Sequence, residues 1–577
     1  MSTKRDYSNW SKDELVRELK KHEKRKKYGI VWEDKPEQVA ELCKEKLPFL
    51  EENTKKEIKT DELKPANIFI EGDNYHALSV LNYTHKGAID VIYIDPPYNT
   101  GSDDFKYNDR IVDVEDSYRH SKWLSFMEKR LKLAKNVLRN DGVIFISIDD
   151  NESAQLKLLC NEIFDESNLV EVFYVQVRYA SKSLNEKDHF QKLIEQVLVY
   201  AKNRNKFKPN KPKQEYTLDN FRFRIVEKAR GEEISLGNKK VIIFKPEEYE
   251  ITEEGKGNID LLKATWASGS VLKGNTSGKF FHRYLEDRKS VDGLGVLYKV
   301  AGIGEDGLGY RYFTGPKKAT ATKGVFYAGI PLNRRHDIEN NIESFKEKPI
   351  INFYDYSGDF GNIRHEGQVD FRSGKKPTKM LMNLINLHPN KNAQVLDFFA
   401  GSGSTGHATL LLNEEDEGER KFILCTNNEN NIASDICYPR IANVIKGYNS
   451  VKGLDGNLKY FKTDFVDAEP TDKNKRKLVD KSTEMLCLKE DCFDKSTKGQ
   501  SFRMFTNGQN KHLGIIYDDD GIEPFKKQVK KLNKKFVVYI FSLDDSAREE
   551  EFEDVAGLVE LRPIPAVILN VYRRIFK

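Results

Sequence analysis

Short apolar runs alternate with amphipathic segments along much of the chain. Residues 68–70, 91–94 and 143–148 are apolar runs with the length of buried strands. Between the last two runs, apolar side chains recur at helical spacing from Trp123 to Leu138. Alternation of this kind predicts a parallel sheet with helices on both faces.

The alternation stops after an apolar run at residues 197–200 and resumes near residue 395. The intervening stretch is rich in Gly, Lys and aromatic residues, which indicates an inserted domain. The last hundred or so residues return to mixed α/β patterning. We therefore predict a helical arm at residues 1–60, an α/β domain in two parts at 61–202 and 366–465, an inserted domain at 203–365, and a C-terminal accessory or subunit-interaction domain at 466–577.

Composition excludes several classes of protein. The 577 residues carry a formal net charge of +4, and no window approaches the roughly 18 apolar residues of a membrane span. The N-terminus is charged and does not resemble an export signal, so we expect a cytoplasmic protein without a membrane partner. The six cysteines form no C-x-x-C pair, which disfavours both a zinc site and a disulfide framework, and we expect no metal.

The tetrapeptide Asp95, Pro96, Pro97, Tyr98 follows the strand predicted at residues 91–94. An exocyclic amine is hard to methylate because its lone pair is delocalised into the ring. The Asp95 carboxylate and the Pro96 carbonyl can accept the amino hydrogens and leave the lone pair facing a methyl donor. Tyr98 can stack on a base flipped out of duplex DNA. The motif predicts a base-modifying methyltransferase; the alternative is a proline-terminated strand that feeds a turn.

A glycine-rich turn follows the apolar pair Val395 and Leu396, with the sequence DFFAGSGSTG from Asp397 to Gly406. A strand, a glycine-rich turn and a helix are typical of nucleoside-cofactor sites in doubly wound folds, including those of nicotinamide enzymes. Asp397 suits the ammonium of S-adenosylmethionine and would repel a pyrophosphate. Glu429, beyond the strand predicted at residues 422–424, is placed to accept ribose hydroxyls or is a surface acid.

Cations alternate with aromatic residues between residues 202 and 230. Cations neutralise phosphates and aromatic rings stack on bases, so this stretch favours DNA contact over a solvated loop. The rings concerned include Phe207 and Phe221. Trp266 is compatible with either a core position or a base wedge. The predicted DNA contacts are Lys206, Lys208, Lys211, Lys213, Arg222, Arg224, Trp266, Arg311, Lys317 and Lys318.

These motifs resemble those of the DNA amino-methyltransferases of the permuted β group, and more closely the modification (Mod) subunits of Type III restriction-modification systems. In that family the D-P-P-Y motif precedes the F-x-G-x-G motif, with target recognition between them, as in this chain. The residues after Tyr98 and those at 145–152 are also similar to Mod sequences. The resemblance implies a permuted Rossmann-like α/β methyltransferase domain with an inserted target recognition domain and a C-terminal α/β domain.

Carried over to this sequence, the resemblance implies that Asp95, Pro96, Pro97 and Tyr98 form the catalytic motif. It adds Asp73, Phe371, Lys376 and Pro377 to the positions that border the cofactor. The predicted residues for binding S-adenosyl-L-methionine are Asp73, Phe371, Lys376, Pro377, Asp397, Phe398, Phe399, Ala400, Gly401, Ser402, Gly403, Thr405 and Glu429.

The leading hypothesis is a sequence-specific methyltransferase for adenine N6 in double-stranded DNA. It would act as a homodimer or with a restriction (Res) helicase-nuclease subunit. Asp rather than Ser before the prolines favours adenine on the basis of the family, because the local chemistry serves either amine. A cytosine-N4 methyltransferase and a non-catalytic DNA specificity subunit are the alternatives.

Overall fold

The computed structural model describes residues 11–12, 15, 30–61, 64–100, 119–182, 189–267, 276–340, 345–361, 363–371, 374–467, 469, 471–497, 501–507, 509–541 and 548–570. The chain divides into two compact units. One comprises residues 1–210 and 351–577, and the other comprises residues 211–350.

The first unit begins with six strands that belong to one sheet. They are Leu47–Glu52 (β1), Ala66–Glu71 (β2), Ile89–Ile94 (β3), Leu138–Ile148 (β4), Leu169–Gln176 (β5) and Ile194–Ala201 (β6). The predicted helical arm is wrong at β1, because residues 47–52 form a strand that pairs with the main sheet. The apolar Leu47, Phe49 and Leu50 are fully buried there, which favours sheet pairing over an exposed arm.

The second unit is built from antiparallel strands. They are Lys213–Glu215 (β7), Phe223–Glu227 (β8), Glu232–Leu236 (β9), Lys239–Phe244 (β10), Tyr249–Glu253 (β11), Lys263–Trp266 (β12), Leu297–Ala301 (β13), Tyr310–Thr314 (β14), Val325–Ala328 (β15) and Phe345–Glu347 (β16). Six of them form a sheet in the order β12-β15-β14-β13-β10-β9, and two pairs stand apart. The unit lies inside the insertion predicted at residues 203–365 and is shorter at both ends.

The chain returns to the first unit with Phe353–Asp355 (β17), Gln394–Asp397 (β18), Lys421–Thr426 (β19), the short hairpin Gly447–Tyr448 (β20) and Val451–Lys452 (β21), and Asn457–Val466 (β22). The main sheet then has ten strands in the order β1-β22-β2-β19-β18-β3-β4-β6-β5-β17. The stretch from β22 to β4 is parallel, whereas β1 and β6 run against their neighbours.

Helices connect the strands of the main sheet and cover it. Those of eight or more residues in the first unit are Gln38–Glu45, Asn74–Thr84, Arg119–Val137, Ser153–Phe164, Thr378–Ile385, Ser404–Asp416, Tyr438–Lys446, Asp472–Glu490 and Ile522–Leu532, and the second unit has Leu332–Glu339. No helix in the described ranges is both long and apolar enough to cross a membrane.

The C-terminal residues form a mixed sheet of their own from Asp494–Lys495 (β23), Phe502–Thr506 (β24), His512–Ile516 (β25), Phe536–Ile540 (β26) and Val559–Leu561 (β27). Helix Asp472–Glu490 joins this sheet to the main one. Its Leu478 and Met485 belong to the same apolar cluster as Phe49 of β1 and Leu513 of β25. The C-terminal α/β region therefore shares its core with the main sheet.

Candidate functional site

The two sequence motifs meet at one edge of the main sheet. Strands β3 and β18 are parallel neighbours, with Val91 opposite Val395. The strand that follows β3 in the chain, β4, lies on one side of this pair, and the strand that follows β18, β19, lies on the other side. A crevice opens beyond the carboxyl ends of strands at such a reversal of strand order, and ligands of doubly wound folds bind there. Asp95 and Asp397 stand at this edge.

A cavity of about 330 Å³ lies at the reversal. Its volume is in the range of sites for small molecules and cofactors. Predicted residues that line it are Asp73, Asp95, Pro97, Lys376, Asp397, Phe398, Phe399, Ala400, Gly401, Ser402, Thr405 and Glu429. Lining residues that the sequence analysis missed are Asn74, Tyr93, Phe126, Gly374, Ser404, Cys425, Thr426, Asn427 and Ile432.

Three glycines shape the turn, each for a different reason. Gly401 has φ 49°, and a Cβ there would point into nearly open space, 3.8 Å from the nearest heavy atom, the Phe399 carbonyl oxygen. Gly403 has φ 79° and precedes helix Ser404–Asp416. A Cβ on Gly406 would come within 2.9 Å of Ile441 and of Leu424. The first two glycines allow left-handed backbone, and the third allows the helix to approach the sheet.

Asp397 is a buried carboxylate held by two donors. The Phe399 amide donates to its Oδ1 at 3.0 Å, and the Thr405 hydroxyl donates to its Oδ2 at 2.5 Å. Burial nevertheless raises the pKa of Asp397 to about 7, because desolvation disfavours the charged form. A cation that entered the cavity would compensate for this desolvation and favour the carboxylate.

Asp73 and Asn74 form the far side of the cavity. Asp73 caps helix Asn74–Thr84 by accepting from the amides of Tyr75 and His76. Asn74 donates from Nδ2 to the Phe398 carbonyl at 3.0 Å and accepts from Nε of the buried Arg130. Asn74 thus ties this helix to the glycine-rich turn. No pattern in the sequence distinguished it from an ordinary helix N-terminal residue.

The loop after β3 is fixed on both sides of Tyr98. The Trp123 indole donates to the Pro97 carbonyl at 2.8 Å. Asn99 takes φ 58° and donates to the fully buried Glu152 at 2.7 Å. Helix Arg119–Val137 and the start of helix Ser153–Phe164 therefore hold the conformation of the tetrapeptide.

The Lys376 ammonium contacts the predicted catalytic tetrapeptide and connects it to Glu195, a residue that the sequence analysis missed. Its Nζ is 2.8 Å from the Tyr98 hydroxyl, 2.8 Å from Glu195 Oε2 and 3.3 Å from Asp95 Oδ1. The Tyr98 hydroxyl is itself 2.8 Å from Asp95 Oδ1 and 3.0 Å from Glu195 Oε2. We call these four residues the motif cluster.

The motif cluster holds Asp95 in an unusual state for an aspartate. Burial raises the pKa of Asp95 to about 6, although the Lys376 ammonium acts in the opposite direction. The carboxylates of Asp95 and Glu195 raise the pKa of Lys376, against the effect of burial. The ammonium stays charged, and Asp95 is the group that can exchange a proton near neutral pH.

A family model described as DNA methylase (N6_N4_Mtase) matches residues 89–436, more than half of the chain. The chain belongs to the DNA methylase family. This confirms the family predicted from the two motifs.

Curated relatives of this chain include subunits of restriction-modification enzymes. It is 31% identical over 459 residues to the Type III restriction-modification enzyme StyLTI Mod subunit of Salmonella typhimurium, covering 72% of this chain and 62% of the relative. It is 30% identical over 406 residues to the EcoPI Mod subunit of Escherichia phage P1, covering 63% and 58%. The Type II methyltransferase M.KpnI of Klebsiella pneumoniae is 28% identical over 430 residues, covering 71% and 93%. The chain thus spans about three fifths of the length of the two Mod subunits.

Buried cations hold the segments of the chain that line or adjoin the cavity. Arg440 is fully buried and donates to Ser402 Oγ at 3.1 Å, Ser404 Oγ at 2.7 Å and Glu366 Oε2 at 2.7 Å. Lys375 places its Nζ between 2.7 and 3.3 Å from four carbonyls of residues 363–369. Burial lowers the pKa of Lys375 to about 8.

Three predicted cofactor residues lie outside the lining of the cavity. Phe371 packs in a small apolar cluster with Val369, Ile432 and Ile436. Pro377 precedes helix Thr378–Ile385, and Gly403 precedes the helix after the turn. For these three residues a direct cofactor contact stays a prediction.

The predicted DNA contacts fall into groups that differ in exposure. Trp266, at the end of β12, is 65% exposed, which rules out the core alternative. Arg311 is wrong as a DNA contact, because its guanidinium is mostly buried and pairs with Asp306 at 2.7 Å and Ser277 at 3.1 Å. The exposed lysines are Lys206, Lys208, Lys211, Lys213, Lys317 and Lys318.

Two arginines and two aromatic rings of the basic stretch are engaged within the protein. Arg222 donates to the Asp219 carbonyl, and Arg224 pairs with Glu254 at 2.8 Å. Phe207 and Phe221 are buried. The prediction that these two rings stack on bases is wrong, because hydrophobic burial already occupies them.

Replacement of Asp397 by Asn tests whether the ionised Asp397 side chain lowers the stability of the folded protein. The folded protein holds a proton up to about pH 7, whereas an unfolded aspartate releases it near pH 4. Stability is therefore lost as the pH rises between these two values. We expect the free energy of unfolding of Asp397→Asn to exceed that of the wild type at pH 8. At pH 5.5 this excess should be smaller by about 1–2 kcal/mol. Chemical denaturation at both pH values measures it.

Asp416, the last residue of the helix that follows the glycine-rich turn, provides a matched control. Arg420 lowers its pKa, so this carboxylate is ionised at both pH values in the folded and the unfolded chain. Asp416→Asn should lose the same stability at pH 5.5 and pH 8. A margin for Asp397→Asn that does not change with pH would contradict the raised pKa.

Proposed function

We propose that this chain transfers a methyl group from S-adenosylmethionine to the N6 amine of an adenine flipped out of double-stranded DNA. The observation that carries the proposal is the meeting of Asp95 and Asp397 at adjoining strand ends around one cavity. The first carboxylate has the chemistry to hold an amine, and the second has the chemistry to hold a cationic cofactor.

The residues of the cavity fit S-adenosylmethionine. The cofactor carries an ammonium, which suits the buried Asp397 carboxylate. The described hydrogen bonds to Asp397 come from an amide and a hydroxyl, so none of them supplies a cation that would offset the cost of burial. Glu429 is exposed at the rim, where it can accept ribose hydroxyls. Gly401 leaves open the space that a side chain would fill. When bound, the cofactor supplies an electrophilic methyl group.

The Asp95 end of the cavity supports the choice of an amine as target. Asp95 is partly exposed beside Pro97, and the prolines and Trp123 fix the backbone that carries the Pro96 carbonyl. Two fixed acceptors at the amino hydrogens favour a nitrogen lone pair that faces the cofactor side. Adenine is proposed rather than cytosine because Asp, not Ser, heads the motif.

The similarity to Mod subunits supports a role in a Type III-like restriction-modification system. In this proposal the chain binds double-stranded DNA, forms a homodimer and associates with a Res subunit, in the cytoplasm where that DNA lies. Residues 211–350 serve as the target recognition domain, with Trp266, Lys317 and Lys318 exposed for contact. Size-exclusion chromatography with light scattering tests the dimer.

Gly401→Val tests the cofactor site. A Val at this cavity-lining position combines a left-handed backbone with a side chain in space that is otherwise nearly open. We expect at least a tenfold loss of affinity for S-adenosylmethionine by calorimetry. Gly87→Val is the control, since Gly87 also has a positive φ of 66° and open space, at the other end of β3. Equal affinities in the two folded variants would refute the site.

Asp95→Ala tests the amine-binding carboxylate. Removal of one positioned electrostatic group typically costs on the order of a hundredfold in turnover, and we expect that loss with little change in cofactor affinity. Asp150→Ala, at the exposed position after β4, should retain full activity. Methyl incorporation from labelled S-adenosylmethionine, with analysis of the methylated nucleosides, measures both the rate and the modified base. N4-methylcytosine as the product would replace adenine with cytosine in the proposal.

Exchange of residues 211–350 for the matching segment of a related methylase tests target recognition. We expect the active chimera to methylate a different DNA sequence at an unchanged base type, because base-edge contacts specify sequence and the motif cluster performs the chemistry. Methylome sequencing identifies the modified site. An active chimera with the original site would place specificity outside residues 211–350.

A further inference from the structure

Methyl transfer to an exocyclic amine creates a proton that must leave. A carbon–nitrogen bond forms, the carbon–sulfur bond of the donor breaks, and the sulfonium becomes a neutral thioether. The methylated nitrogen then carries one hydrogen too many and loses it as a proton. A site that keeps water from the target base needs a protein group to accept this proton and a route by which it leaves.

Asp95 is the acceptor nearest to the proposed amine. Its side chain is only 14% exposed. The groups that face it are Tyr98, Lys376 and Glu195 of the motif cluster, with Tyr93 and Asp397 farther along the cavity. Direct release of the proton to solvent from this position is restricted.

The Tyr98 hydroxyl bridges the two carboxylates of the motif cluster. It lies 2.8 Å from Asp95 Oδ1 and 3.0 Å from Glu195 Oε2, both hydrogen-bond distances. Glu195 is 25% exposed and therefore nearer to solvent than Asp95. The three groups form a continuous line from the amine site to the surface.

Lys376 fixes this line without taking part in it. An ammonium has three hydrogens, and Lys376 Nζ has three acceptors within 3.3 Å, one on each of the other members. With both carboxylates ionised, the motif cluster has one positive and two negative charges. The addition of one proton makes it neutral, which a largely buried site favours. The motif cluster thus has the capacity for the one proton that each turnover produces.

We propose that Tyr98 and Glu195 form a proton relay that carries the amine proton from Asp95 to solvent. Protonated Asp95 gives its proton to the Tyr98 oxygen while Tyr98 gives its hydroxyl proton to Glu195. One proton moves, and the ring stays neutral throughout. Glu195 then releases the proton to water. Asp149 also faces Glu195, and burial raises its pKa to about 6, so a second carboxylate stands at the outer end.

The relay rests on the proposed function and assigns Glu195, at the start of β6, a role through Tyr98 rather than in contact with the base. It also gives the Tyr98 hydroxyl a role that a stacking ring does not have. Stacking requires only the ring, so Tyr98→Phe separates the two roles.

Stopped-flow measurement of proton release, with a pH indicator in weakly buffered solution, tests the relay. Single-turnover methyl transfer to unmethylated plasmid DNA is followed in parallel with labelled S-adenosylmethionine. In the wild type both signals should appear at one rate. In Glu195→Gln, methyl transfer in the first turnover should stay within about threefold, while proton release lags by about tenfold or more. In Tyr98→Phe, proton release should lag behind that variant's own methyl transfer by a similar factor, whatever its rate of transfer. The double variant should lag no more than either single variant, because the two act in series.

Matched controls lie on the neighbouring strand β5. Glu171→Gln and Tyr174→Phe remove the same groups at positions exposed to solvent and should leave both signals unchanged. Calorimetry with S-adenosylmethionine and thermal denaturation verify that each variant is folded and binds the cofactor. Glu195→Ala with added formate is a second route: formate should restore prompt proton release, whereas chloride should not.

Proton release that keeps pace with methyl transfer in both Glu195→Gln and Tyr98→Phe would overturn the relay and leave the methyltransferase function intact. Lags that multiply in the double variant would also overturn it, because independent routes behave in that way. Absence of methyl transfer to DNA by the wild type would instead overturn the proposed function, and the relay with it.

Discussion

Parallel pairing of β3 with β18 is the constraint on which the rest of the site depends. Strands β4 to β17 separate the two along the chain, and yet Val91 lies opposite Val395 in the centre of the sheet. Their carboxyl ends carry the amine-binding motif and the glycine-rich turn. Because parallel strands end at the same edge, this one register brings the two motifs to the lining of one cavity.

The cavity depends on buried charge as much as on apolar packing. Arg440 joins the serines of the glycine-rich turn to Glu366, and Thr378 donates to the other oxygen of that carboxylate at 2.8 Å. Lys375 likewise donates from Nζ to carbonyls of the preceding loop, among them those of Arg364 and Val369. A buried cation is costly unless several acceptors surround it. These contacts therefore permit few conformations of the loop and the turn, and they hold the cavity in shape.

The two carboxylates of the site, Asp95 and Asp397, are both largely buried, but their neighbours suit them to different tasks. Burial raises the pKa of both Asp95 and Asp397 toward neutrality. Among the residues that the structure describes, the donors to Asp397 are neutral, an amide and a hydroxyl, so this carboxylate suits a cationic ligand. Asp95 lies beside an ammonium and a second carboxylate, and so is suited to exchange a proton. Position at the edge of the sheet decides which partner each one has.

The sequence by itself determined the fold class, the family and most of the cavity lining, because these depend on local patterns. Apolar runs specify strands, and the D-P-P-Y and glycine-rich motifs must keep their residue types for the backbone and the chemistry. Tertiary structure decided what depends on distant partners. The strand at Leu47–Glu52 forms because β22 offers it an edge. Glu195 joins the site because β6 runs antiparallel to β4, with Gln196 opposite Ile148, so that the first residues of β6 lie at the edge where β3 ends. The sequence predicts Arg311, Phe207 and Phe221 as DNA contacts because it gives their residue type and not their burial. The physical reason is common to all of these cases: a side chain's role follows from the neighbours and the solvent exposure that folding gives it.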